Sequence, residues 1–307
     1  MEYVLRTFDL SKMYKRRFAV NHANMNVLQG DIYGFVGENG SGKTTIIRLI
    51  TGLIYPNSGG FELFGVSNTD PDITKARKNI GAIVETPSIY SNMSATDNLM
   101  LQCNLLGIEN KDKVKETLEI VGLSALYGEK KAAGDFSLGM RQRLGIAMAL
   151  IGDPKFIILD EPMNGLDPAG IVEVRELILK LNREFGITFL ISSHILSELA
   201  LVATRYGIIS KGSIIKEISS EELHNICRKY TLVRAADMDA LWRTICDSFP
   251  EYMLEVENGY VKISGDIDLN LLFAKLLESK NQILSINCRE TSFEEYYLSL
   301  AGGKRND

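Results

Sequence analysis

Residues 37–44 read Gly-Glu-Asn-Gly-Ser-Gly-Lys-Thr, a run of the form G-x-x-x-x-G-K-[ST]. These residue types at this spacing suit the holding of a polyphosphate. Glycines let backbone N–H groups converge on phosphate oxygens where a Cβ would intrude. Lys43 adds a point charge for the β- and γ-phosphates, and the Thr44 hydroxyl can ligate Mg²⁺. Gly37, Asn39, Gly40, Ser41, Gly42, Lys43, Thr44 and the adjoining Thr45 are therefore candidate nucleotide-binding residues. Far along the chain a second reactive group follows the apolar run Phe156-Ile157-Ile158-Leu159, which ends in Asp160 and Glu161. In open parallel sheets ligands bind at such carboxyl ends. Asp160 is placed to hold Mg²⁺ through water, and Glu161 to polarise an attacking water as general base. A plain strand ending in solvated acids reads the same in isolation; the phosphate loop upstream separates the two readings.

These groups need elements to position them. The apolar run Ile32–Val36 predicts a buried strand leading into the glycine-rich loop, and Lys43 to about Thr51 predicts a helix whose positive end faces the same anion. Residues 95–133 read as mostly helical, and a helix from about Leu138 to Gly152 stops at Asp153-Pro154. Then come a strand at 156–159, a helix at 170–185, a strand at 188–192, a short helix after His194, and strands near 206–210 and 213–217. Strands alternating with helices imply an α/β fold with a parallel sheet. Near Ser219 the pattern changes. Strands at 230–234, 252–256, 260–263 and 283–288 interleave with helices at 238–248 and 269–278, and a last helix covers 292–300. The order βαββαβ is that of a ferredoxin-like α+β unit, and Asn258-Gly259 is a hairpin signal inside it. The expected domains are residues 1–219 and 220–307.

Length and composition fit this division. A chain of 307 residues suits two cores, and 45% apolar with 24% charged residues is an ordinary globular profile. A net charge of −5 argues against nucleic acid as a partner. No apolar run approaches the roughly 18 residues of a membrane span, and Met1-Glu2-Tyr3-Val4-Leu5-Arg6 lacks a secretory profile. A cytoplasmic protein is expected, one that borrows any membrane part from a partner. Cys103, Cys227, Cys246 and Cys288 are scattered and only three histidines exist, so no metal cluster is expected and the thiols are expected to be reduced and mostly buried.

Ser137 reads as a helix N-cap with Gly139 close by, a second anion site. The segment Phe136-Ser137-Leu138-Gly139-Met140-Arg141-Gln142-Arg143 resembles the signature loop of ABC ATPases, Leu-Ser-Gly-Gly-Gln followed by a basic-Gln-Arg run. Ser137 and Gly139 keep that pattern; Phe136, Leu138 and Met140 depart from it. Pro162-Met163-Asn164-Gly165-Leu166-Asp167-Pro168 resembles the family's D-loop, His194 in Ile191-Ser192-Ser193-His194 stands where the family keeps its switch histidine, and Tyr14 where it stacks a ring on adenine. The resemblance covers about residues 3–218. It implies a P-loop NTPase core with a helical subdomain at about 86–152, using ATP and Mg²⁺. It also implies a head-to-tail dimer with a second ATPase subunit, closed by ATP. Ser137 would then reach the γ-phosphate in trans, His194 would hold it in cis, and Asp167 would link the two sites. Integral-membrane permease subunits are the implied partners, and the inner face of the plasma membrane the implied location.

One departure narrows the resemblance. The family's usual glutamine at the start of the helical subdomain, a Mg²⁺ ligand that senses the permease, is replaced by Glu85. A carboxylate is still an oxygen ligand for a hard cation. Val84-Glu85-Thr86-Pro87 with Tyr90 and Asn98-Leu99 resembles the ATPases of bacitracin-resistance and lantibiotic-immunity exporters, as does Thr291-Ser292-Phe293-Glu294-Glu295-Tyr296-Tyr297 near the end. The resemblance implies a motor for exporting antimicrobial peptides. Export of lipids, drugs or other small molecules stays open. A soluble ABC ATPase acting on ribosomes or DNA fits less well, because this chain has one ATPase unit, no heptad run and an acidic charge balance.

Overall fold

The computed structural model describes residues 2–110 and 112–302. The chain forms two compact units that divide between Ser220 and Glu221.

The N-terminal unit holds two sheets. In the first, β1 (Tyr3–Tyr14) pairs antiparallel with β2 (Arg17–Ala23), β3 (Asn26–Leu28) and β5 (Ser58–Leu63), and β5 pairs with β6 (Val66–Ser67). The second contains β4 (Ile32–Val36), β7 (Ile80–Ile83), β8 (Phe156–Asp160), β9 (Thr188–Ser193), β10 (Arg205–Ser210) and β11 (Ser213–Ser219), in the order β11-β10-β4-β9-β8-β7. Five of its strands are parallel and β11 is antiparallel to β10. β4, β8 and β9 are buried at every position, as continuous apolar runs require when helices cover both faces. The helices are α1 (Lys43–Thr51), α2 (Ile73–Arg77), α3 (Ala95–Leu106), α4 (Asp112–Ile120), α5 (Leu138–Leu150), α6 (Pro168–Phe185) and α7 (Leu196–Ala200). The core runs from Leu5, Leu10 and Phe61 through Phe35 and Ile46 to Phe156 and Leu190. Each such side chain contributes roughly 1.5–3 kcal/mol on burial.

Helices α3, α4 and α5 lie within residues 95–150; the expected helical stretch at 95–133 holds over α3 and α4, whereas residues 121–133 are turns and loop with a short 3-10 segment at Ser124–Leu126. Asn98 holds the entry to α3. The Asn98 side chain is fully buried, accepts from Tyr90 N at 2.8 Å and donates to the carbonyls of Tyr90 at 3.1 Å and Ser94 at 2.9 Å. The loop that follows Glu85 is thereby tied to α3. Short elements escaped the sequence reading: β5, β6, α2 and β7 lie in glycine-punctuated or polar stretches that show no period.

The division falls at the first residue of α8 (Ser220–Ile226), an element also unforeseen, and the C-terminal unit continues as β12 (Lys229–Ala235), α9 (Met238–Ser248), β13 (Met253–Glu257), β14 (Tyr260–Ser264), α10 (Leu269–Glu278), β15 (Ile283–Glu290) and α11 (Phe293–Ala301). Its antiparallel sheet has the order β13-β14-β12-β15, the ferredoxin-like arrangement that βαββαβ foretold. Asn258 and Gly259 have φ of 49° and 76°, so both central residues of the β13–β14 turn are left-handed, as the tight hairpin needs. Val233, Leu241, Ile245, Val261, Ile263 and Leu272 form its core.

One expectation fails. The thiols are free, but only Cys103 is buried; Cys227 and Cys246 are half-buried and Cys288 is exposed. Composition makes cysteine a small hydrophobe on average, whereas Cys288 stands near the end of β15, where exposure prevails. Burial raises the Cys103 thiol above its ordinary pKa, and burial with Glu290, Glu294 and Glu295 nearby does the same for Cys227. Among the described residues no helix is long and apolar enough to cross a membrane.

Candidate functional site

β4 delivers the chain to Gly37, and α1 begins at Lys43. Two glycines of the loop are required by close approach. A Cβ on Gly37 would lie 2.6 Å from the Ile209 carbonyl oxygen, and one on Gly42, whose φ is +114°, would lie 2.5 Å from that of Ala19. β2, the loop and the β10–β11 turn are therefore pressed together. Asn21 N donates to Gly212 O at 2.8 Å, and Gly212 N to Ser41 O at 2.9 Å. Lys43 is buried, and its ammonium donates to the carbonyls of Gly37 at 2.6 Å and Glu38 at 3.3 Å. Ser41 Oγ is buried in the same loop and meets no hydrogen-bond partner among the described residues. An unmatched buried hydroxyl costs about 1–3 kcal/mol, and it leaves a donor that a ligand oxygen can match.

The acids arrive from β8. Consecutive strand residues point to opposite faces, yet Asp160 and Glu161 both reach the loop. Glu161 resolves this with a left-handed backbone, φ +52°. Asp160 Oδ2 accepts from Thr44 Oγ1 at 2.9 Å, and Asp160 Oδ1 accepts from Ser192 Oγ. Glu161 Oε1 lies 3.4 Å from Lys43 Nζ, and Glu161 Oε2 lies 2.7 Å from His194 Nδ1. The structure thus brings Lys43, Thr44, Asp160, Glu161 and His194 into one cluster at the ends of β4, β8 and β9. Ser192, which the sequence reading passed over, joins it. The Glu161 N–H donates to Ser192 Oγ at 3.0 Å, so one buried hydroxyl orients both acids. Its only sequence signal was a position two residues before His194.

The remaining candidates stand apart. Tyr14 ends β1, 46% exposed, with Lys12 Nζ 5.6 Å from the ring centroid; it belongs to the surface and not the core. Asn39 and Gly40 are exposed at the loop tip, and Thr45 is half-buried beside Thr44. Ser137 caps α5, accepting from Met140 N at 3.2 Å, as expected. Gly139 faces inward, its Cβ position 3.7 Å from Gly170 Cα. Asp167 is exposed and caps α6, accepting from Gly170 N at 3.2 Å. Ser137 and Asp167 share no hydrogen bond or ion pair with the central cluster among the described residues. Glu85 pairs with Arg48 on α1 at 2.6 Å, a residue the sequence reading did not single out.

The donors suit a hard cation. Thr44 Oγ1 and the Asp160 carboxylate are adjacent oxygens, and among the described residues no group of three or more His, Cys, Asp or Glu side chains forms a cage. One or two protein oxygens completed by substrate phosphates is how Mg²⁺ is usually held.

A glycine-rich loop, two acids and a histidine thus converge at the ends of parallel strands. The profile of the ABC transporter family matches residues 20–164. A bacitracin transport ATP-binding protein, BcrA of Bacillus licheniformis, is 43% identical over 99% of both chains. A lantibiotic transport ATP-binding protein, SrtF of Streptococcus pyogenes, is 42% identical over 73% of this chain and 94% of its own. A solved ATP-binding cassette of an ABC transporter in its ADP conformation aligns with a TM-score of 0.65 at 28% identity, covering 74% of this chain and 95% of that one. The chain belongs to the ATP-binding subunits of ABC transporters. It is an ATP-binding, ATP-hydrolysing subunit, and subunits of this family dimerise and work with membrane permeases.

Proposed function

We propose that this subunit drives export of antimicrobial peptides of the bacitracin or lantibiotic kind from the inner face of the plasma membrane. The cluster of Lys43, Thr44, Asp160, Glu161 and His194 carries the motor part of this reading. Lys43, the loop N–H groups and the Ser41 hydroxyl bind the triphosphate. Thr44 and Asp160, which share a hydrogen bond, would hold Mg²⁺, with Glu85 as a further carboxylate ligand, and the cation would supply charge neutralisation on the phosphates. Glu161 takes a proton from the attacking water as the bond to the γ-phosphorus forms and the bond to ADP breaks. His194 orients Glu161 through their 2.7 Å contact and can turn to the γ-phosphate. Ser137, Gly139 and Asp167 serve the facing subunit of a head-to-tail dimer, which fits their separation from the cluster. Tyr14 stacks on adenine.

The permease seats beside β7. A groove of about 490 Å³ runs between β7 and α3, lined by Val84, Thr86, Pro87, Leu105 and Leu106 among others. Leu105 and Leu106 are exposed there. An apolar helix end from a permease matches this lining, and the adjoining Glu85 segment would sense it. The full-length likeness to BcrA supports the cargo. Survival on a panel of bacitracin, lantibiotics and small drugs, in cells expressing the subunit with its own permease, tests the whole reading. Wild type is expected to protect against one peptide class and Glu161→Gln not to. Protection against small drugs alone would replace the peptide reading with the other exporters.

A further inference from the structure

Thr44 and Arg48 are four residues apart on α1, so their side chains share one face, one turn apart. Helical side chains lean toward the helix N-terminus, so Arg48 leans toward the turn of α1 that holds Thr44, whose hydroxyl meets Asp160. At its end, Arg48 Nη2 donates to Glu85 Oε1 at 2.6 Å. Glu85 has φ +66°, a left-handed backbone unusual for a residue with a side chain. Residues on both sides of it, Val84 and Thr86, line the groove beside β7. One ion pair thus ties the phosphate-binding helix to the groove wall.

We propose that Arg48 is the counter-charge that makes a carboxylate workable at position 85. It is a positioning residue that holds Glu85 beside the Mg²⁺–triphosphate site and releases it to the cation when nucleotide loads. This deepens the Mg·ATP reading of the site and rests on it. The guanidinium and a hard divalent cation compete for the same carboxylate oxygens. The pair is 38% and 59% exposed, hence screened by solvent and easily exchanged, as a contact that opens in each cycle must be. A glutamine at this position would repel nothing and would need no such arginine. Arg48 and Glu85 form a matched set, and their exchange shifts the segment that borders the groove.

The test is equilibrium binding of a fluorescent ATP analogue to the full chain, with Mg²⁺ titrated from none. The proteins are wild type, Arg48→Met, Glu85→Gln and the double variant, with Arg48→Gln as a second neutral replacement should methionine disturb folding. Without Mg²⁺, Arg48→Met is expected to bind about tenfold more weakly, because the uncompensated carboxylate repels the triphosphate. Mg²⁺ restores most of that loss. In the Glu85→Gln background the same replacement changes affinity by less than about twofold. Arg48→Lys, which keeps the charge, stays near wild type. Equal weakening in both backgrounds, or a lysine variant as weak as the neutral ones, overturns the proposal and leaves Arg48 a structural residue. A wild-type protein that binds no ATP at any Mg²⁺ level removes the reading of the site itself, and this inference with it.

Discussion

The two sheets that anchor the two units are built to different tolerances. In the N-terminal unit β4, β8 and β9 are buried at every position, and the polar cluster stands at their ends. In the C-terminal unit β12 and β14 largely alternate between covered and partly open positions, and β13 keeps none of its five residues fully buried. A sheet covered on both faces fixes its strand ends, and fixed ends can aim a lysine, two carboxylates and a histidine at one point. A sheet covered on one face yields a surface. The difference teaches where chemistry can reside in this chain: backbone immobility came first, and reactive side chains exploit it.

The largest effect expected from breaking the parallel sheet's arrangement is at Glu161. Glu161→Gln should lower the rate of phosphate release about 10²- to 10⁴-fold while ATP binding persists; an unchanged rate would remove Glu161 as the base. Next is Lys43→Ala. Losing the buried cation should weaken ATP binding by roughly 2–5 kcal/mol in an equilibrium titration, and wild-type affinity would refute its role. Ser192→Ala should be milder. It leaves Asp160 Oδ1 and the Glu161 N–H each short one partner, so thermal unfolding should show a loss of about 1–3 kcal/mol, with hydrolysis reduced and nucleotide specificity kept. In the C-terminal unit's sheet Gly259→Ala sharpens the contrast. The space around that residue is open, so only its left-handed φ of 76° resists a side chain. A stability loss of about 1–2 kcal/mol is expected, with ATP hydrolysis unaffected; a change in hydrolysis would show that the C-terminal hairpin serves the site.

Legibility in the sequence followed the same divide. Gly37 to Thr44 could be read because close backbone approach excludes most residue types, and the strand before Asp160 because both its faces are apolar. The ferredoxin-like order was visible because its strands and helices keep their periods and Asn258-Gly259 announces its turn. Ser192 and Arg48 were not visible. Their partners lie 32 and 37 residues away, and a common serine or arginine carries no local mark of such a contact. The short pieces β5, β6 and α2 were missed for lack of a period, and the cysteines were misjudged because exposure depends on which end of which strand a thiol occupies.

The contact of the Ala19 carbonyl with Gly42, joined by the Asn21–Gly212 and Gly212–Ser41 bonds, has a consequence for local opening. Three segments distant in sequence share one set of amide bonds, so none can detach without the others. In native-state hydrogen exchange the amides of Asn21 and Gly212 should exchange with a single protection factor. Nucleotide that clamps the phosphate loop should slow both together, although one lies in a hairpin strand and the other in a turn beyond β10. The hairpin that ends in Tyr14 is thus part of the same cooperative unit as the phosphate loop, and nucleotide bound to the loop would stiffen the edge of the sheet that carries the ring.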